Sequence, residues 1–200
     1  MPIRWKENAV VNVKLKDDLY TIAQMYQHPY MQFFKISNET GNWDGINLID
    51  VPKYIFIPHD KFFGKEHYVE KLKNIEPIEI VPPKYAIKTF PRPSLVEPVF
   101  RKDGLYDSYN AKLIKDNLNP LEDEKLIRQY ETVNLELNWN LKTRLIYFFE
   151  TGEDISLSKL LRFYPDEFIH FLNIFNEKFE VLDSEGHLQK WKNYLENIKK

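Results

Sequence analysis

Apolar and polar residues alternate near the start of the chain. Val11, Val13 and Leu15 fall on one side, with Asn12, Lys14 and Lys16 on the other. A period of two marks a β-strand with one buried face. Asp17-Asp18 then predicts a tight turn, although without the glycine that most favours a hairpin. Alternation resumes at Tyr20 and Ile22, around Thr21 and Gln24, and stops at His28-Pro29. Met31 to Ile36 predicts a third strand, Ile46 to Ile49 a fourth and Lys53 to Ile57 a fifth. Between the third and fourth, Asn38 to Gly45 carries two of the six glycines and predicts a loop. Five short strands with tight connections predict a small, strongly bent antiparallel sheet or an SH3-like barrel. Asp60 to Ile75 predicts a helix with Phe63, Val69 and Leu72 on its apolar side. Lys71 and Lys73 suit its C-terminal end.

The pattern changes between Pro77 and Pro98, which hold six of the twelve prolines. Proline fixes φ and removes a donor, so this stretch is neither helix nor central strand. Ile78, Ile80, Val81, Tyr85, Ile87, Phe90 and Leu95 are interleaved, which a free linker would not need. The expectation is an extended strap packed over a surface, with room for one edge strand; a semi-rigid linker is the alternative.

From Tyr109 the spacing is mainly helical. Asn119-Pro120-Leu121-Glu122 predicts a helix start, with Asn as cap and Pro at the first helical position. Leu141, Leu145 and Phe148 predict a helix over about 137–151, ended by Gly152. Ser156 predicts the cap of a short helix that Pro165 ends. Phe168, Phe171, Leu172, Phe175 and Phe179 form a helical stripe, and Leu188, Trp191, Leu195 and Ile198 another. The whole reads as an α+β chain. A β-rich unit with one helix spans 1–76, the strap 77–98, and a mainly helical unit 99–200 packs on the first.

Composition narrows the function. Charged residues make up 29% and hydrophobic ones 43%, with a formal charge of −2, so no general field drives binding to nucleic acid or anionic membrane. No apolar run approaches the roughly 20 residues that span a bilayer, and no secretory leader opens the chain, so a soluble, cytoplasmic protein is expected. Absence of cysteine removes disulfides, zinc thiolates and thiol catalysis. Aromatic residues reach 15%, enough for a large core with some left for an interface.

Catalytic signatures are lacking. There is no glycine-rich phosphate loop and no G-x-S-x-G elbow. His59-Asp60 and Glu66-His67 are the closest approach to a metal or acid–base cluster, and a solvated helix start explains them better. His170, between two apolar residues, reads as structural, and His28 as part of a turn. Lys84, Lys88 and Arg92, interleaved with Tyr85 and Phe90, are the best local candidate for nucleic-acid contact. The second candidate surface is acidic. Glu122, Asp123 and Glu124 open one helix, and Glu150, Glu153 and Asp154 surround Gly152. Helix-dipole complementation accounts for such residues by default; a patch facing a basic partner is the functional reading.

The succession Val10-Val11-Asn12-Val13-Lys14-Leu15, Asp17-Asp18, Leu19 to Met25 and Met31 to Ile36 resembles the opening of one family of bacterial immunity proteins. These accompany polymorphic or contact-dependent toxins and neutralise the toxin domain encoded beside them. The resemblance implies a dedicated binder of a toxin C-terminal domain, such as a nuclease, with no cofactor and no turnover of its own. It carries over no functional residue. A nucleic-acid-binding or regulatory module built on the small β unit is the alternative.

Overall fold

β1 (Val10–Lys16) and β2 (Leu19–Met25) pair antiparallel across the Asp17-Asp18 turn, with Asn12 opposite Ile22. β3 (Tyr30–Asn38) follows the His28-Pro29 turn, whose peptide bond is cis, and β4 (Lys53–Pro58) pairs with β3. The computed structural model describes residues 3–58, 61–88, 104–132, 138–164 and 166–171. Two compact units are present, Met1–Ile155 and Ser156–Lys200.

The first sheet has five strands in the order β4-β3-β2-β1-β5, all antiparallel. Its outermost strand, β5 (Tyr68–Lys71), corrects the sequence reading of a helix from Asp60 to Ile75. Helix α1 covers only Lys61–His67. Val69 and its neighbours then leave the helix to satisfy the free edge of β1, where Asn12 pairs with Glu70. A β-branched residue gains more from that ladder than from a helix already weakened by Gly64. A second correction concerns Ile46 to Ile49. Asn47 caps a single 3-10 turn, Leu48–Asp50, by accepting from the Ile49 amide. Leu48 is buried there while Ile49 stays exposed.

β2, which reads as half-buried, is buried on both faces and leaves only Tyr20 partly open. On one face Val10, Ile22 and Phe34 pack with Trp43, Leu48 and Ile75. On the other, Val11, Ala23 and Phe33 are cross-strand partners, and the Phe33 ring meets Phe63 of α1 edge-on at 6.0 Å. The polar residues this buries are satisfied internally. Gln24 exchanges two hydrogen bonds with the backbone of Ile78, at 2.9 and 3.0 Å, and thereby fastens the start of the strap to the sheet. Asn12 donates to the Gly41 carbonyl at 3.1 Å and accepts from the Trp43 indole at 3.0 Å. Asn12→Ala strands both loop groups. We expect it to lower stability by about 2 kcal/mol in urea unfolding, because a buried polar group without a partner carries its full desolvation penalty.

A second sheet places two strands the sequence reading did not expect ahead of the helices that follow residue 99. β6 (Tyr85–Lys88), β7 (Gly104–Asp107) and β8 (Leu113–Asp116) lie in that order, antiparallel. β6 is the edge strand that the strap had room for. Its outer side is covered by a parallel bridge from Ile87 to Thr132, with the Ile87 amide donating to the Glu131 carbonyl at 2.8 Å. Gly104 permits the β7–β8 pairing, since a Cβ there would strike the Lys115 carbonyl oxygen. Residues 89–103, with Phe90, Arg92 and Leu95, lie outside the described residues.

Helix α2 (Glu124–Gln129) starts later than the Asn119-Pro120 signal. The Asn119 side chain accepts from the Leu121 amide and closes a turn, so Asp123 becomes the cap position. Helix α3 (Asn138–Thr151) matches its expected span, and Gly152 ends it at φ +78°. α3 packs against β1 and α1.

In the second unit, α4 (Leu157–Phe163) follows Ser156, whose hydroxyl makes no cap bond. Residues 166–171 are helical, with Phe168 and Phe171 buried. The remaining positions of both C-terminal stripes lie outside the described residues. No helix among the described residues is long and apolar enough to cross a membrane.

Candidate functional site

Arg144 occupies the inner face of α3, between Leu141 and Leu145, with its side chain 1% exposed. A guanidinium at that depth needs anionic partners. Past Gly152 the chain turns back and brings Asp154 within 2.7 Å of Nε and of Nη2. From the segment after α2, Glu131 accepts from Nη1 at 2.9 Å and from Nη2 at 2.8 Å. Burial opposes the charge on Arg144, but the two carboxylates outweigh it and hold the guanidinium fully protonated. Tyr54 of β4 donates its hydroxyl to Asp154 at 2.6 Å, and its ring stacks on Phe148 at 3.8 Å. Burial raises the Tyr54 hydroxyl far above its ordinary range, so it stays a neutral donor. Both carboxylates are thus committed to one cation. The arrangement locks three segments together.

Beside this knot runs a groove of two adjoining hollows, about 340 and 510 Å³, that share Phe56, Pro83 and Glu131. Tyr26, Tyr30 and Phe56 form one wall of the first, with Tyr30 stacked on Phe56 at 5.3 Å. Pro82, Tyr109 and Thr132 line the same hollow. Lys35, Lys53, Tyr54 and Phe148 line the second.

The six carboxylates singled out in the sequence belong to two places, the start of α2 and the end of α3. Asp123 is buried. Its hydrogen bonds to the Lys115 ammonium and the Asn119 amide hold its carboxyl below the ordinary carboxylate range. Glu124 pairs with Arg128 at 2.8 Å, Glu150 with Lys16 at 2.6 Å, and Glu153 accepts from the Tyr147 hydroxyl at 3.0 Å. Asp154 is bound to Arg144. Glu122 is exposed in the turn before α2. Five of the six therefore have internal partners, and the structure does not gather them into one free acidic face.

The histidine cluster divides. His59 and Asp60 lie outside the described residues. His67 is buried, with Nδ1 2.9 Å from the Lys14 carbonyl and its ring against Phe63, which is a packing role. No group of three or more potential metal ligands occurs among the described residues. His28 lies in its turn with its ring edge-on to Trp5, and His170 is exposed. Lys84 and Lys88 lie over Tyr85 and Tyr106, at 5.2 and 5.0 Å from the ring centroids.

Sequence reasoning missed Arg144. Its signal was present: a charged residue on the apolar stripe Leu141, Leu145, Phe148 predicts a buried ion pair. Lys35 and Lys53 carried no such signal, because only the fold brings them to one groove.

Residues 1–166 match a family model described as Domain of unknown function (DUF8309). No curated protein matches the chain, and no solved structure does.

Proposed function

We propose that this chain, which belongs to the DUF8309 family, is a protein-binding module that neutralises a bacterial toxin domain by occupying its working surface. The observation that carries this reading is the outer edge of β8. Leu113, Ile114 and Lys115 are all exposed, Ile114 at 50%, and among the described residues no strand pairs with that edge. Leu121, a few residues on, is 93% exposed. An open apolar edge is a template for another strand, and natural proteins ordinarily blunt it unless a partner uses it. A partner strand added to β8 would take main-chain hydrogen bonds for affinity and side-chain pockets for choice. The resemblance of β1 to β3 to immunity proteins supports the kind of partner. Among the six carboxylates, Glu122 beside Leu121 is the one placed to form the polar rim of that contact.

The test is growth of cells expressing the toxin domain encoded beside this chain. Wild-type chain is expected to restore growth, and Ile114→Glu to weaken binding by about tenfold or more, since it places a charge at the centre of an apolar contact. A circular-dichroism melt should leave the variant's Tm within about 2 °C of wild type, as expected for an exposed position. Failure of the wild-type chain to protect would contradict the inhibitor reading. Full protection and unchanged affinity with Ile114→Glu would contradict the β8 surface alone.

A further inference from the structure

The groove beside the Arg144 knot carries cations that the described residues do not neutralise. Lys35 Nζ lies over the Phe148 ring at 5.7 Å, Lys53 Nζ donates to the Glu79 carbonyl at 3.2 Å, and Lys88 Nζ lies over the Tyr106 ring. Among the described residues none of the three pairs with a carboxylate. The two carboxylates on the groove wall, Glu131 and Asp154, are both held by Arg144. The groove is therefore net positive although the chain as a whole is slightly acidic. On the wall of the first hollow, Thr132 is buried and its hydroxyl has no hydrogen-bond partner among the described residues. An unsatisfied buried hydroxyl at a hollow is a place where a ligand's polar group gains more than it would in water.

We infer that this groove holds an extended acidic peptide segment of a partner protein. Its carboxylates meet Lys35, Lys53 and Lys88, and its backbone runs over Phe56 and Pro83 towards Thr132. Ring geometry favours a peptide over a single-stranded nucleic acid. Base stacking needs free aromatic faces, and one face of Phe56 is taken by Tyr30 and one face of Phe148 by Tyr54. Pro82 and Pro83 line the groove beside these rings, and its lysines offer an acidic peptide charge partners along its length. The inference does not depend on which protein adds to β8, and β8 does not line either hollow.

The test pans a random dodecapeptide display library on the full-length chain, then measures the enriched peptides by fluorescence anisotropy. Enrichment of Asp- and Glu-rich peptides is expected. Their affinity should fall by about tenfold in Lys53→Glu/Lys88→Glu, and weaken with added salt. Lys112→Glu, in the exposed β7–β8 turn, should leave it unchanged. Lys35→Glu is the second variant should the double change fold poorly. No enrichment of acidic peptides, or peptides indifferent to the groove lysines, would overturn the inference. Tighter binding of an oligo-dT of about fifteen nucleotides, with the same lysine dependence, would overturn it in favour of a nucleic-acid site.

Discussion

Replacing Arg144 by methionine is expected to destabilise the Met1–Ile155 unit by about 3 kcal/mol, because breaking a buried ion pair from one side leaves charge without compensation. The figure sits at the low end of that range because the partners are partly wet, Glu131 being 23% and Asp154 39% exposed. Methionine matches the length of the arginine stem and fills most of its volume, so the loss is electrostatic and not a cavity effect. Thermal unfolding should fall by about 6–12 °C for a unit of this size. The companion variant Arg144→Met/Glu131→Gln removes one stranded carboxylate and should recover part of the loss. A single variant as stable as wild type would show that the knot does not hold the three segments together. Groove binding should weaken with it, because Tyr54, which lines the second hollow, donates to Asp154.

Phe33→Ala is expected to have the largest effect of any single change, about 4 kcal/mol, from lost burial and the cavity left behind. Phe33 lies in β3, is fully buried, and contacts Phe63, which carries α1. Phe63 in turn meets His67 and Tyr68, the last residue of α1 and the first of β5. Removing the ring therefore loosens both the sheet's centre and the element that returns to its edge. For a protein of ordinary stability, about 5–15 kcal/mol, that is a large fraction of the total. Urea unfolding reads the loss, and amide exchange should show β5 and α1 losing protection before β2. A loss under about 1 kcal/mol would mean that the sheet face collapses around the gap, contrary to close packing there.

Much of the first sheet was legible in the residues, because period-two patterning and turn residues agree from Val10 to Ile57. Four of its five strands stand where that pattern places them, as do α3 and its Gly152 stop. The misreadings have local causes. Tyr68 to Lys71 became a strand because β1 offered an unpaired edge, a tertiary demand invisible in a run that also fits a helix. Leu48 to Asp50 became a turn because Asn47 competes for the backbone with its own side chain. Leu113 to Asp116 has no apolar periodicity of its own; it is a strand by virtue of β7, where Gly104 allows close approach. The candidate site was less legible. Acidic residues stand out in a sequence, but most of these serve lysines and arginines of the same chain. The groove lysines come from β3, β4 and β6, three stretches that share no local pattern.

The central claim is that a partner is bound on the β8 edge, and amide hydrogen exchange of the chain with and without its toxin domain tests it most directly. The expected result is strong slowing at Leu113 to Asp116, where main-chain groups gain strand partners, with little change across β2 and β3. A stable complex in which β8 exchanges as fast as in the free chain would contradict it.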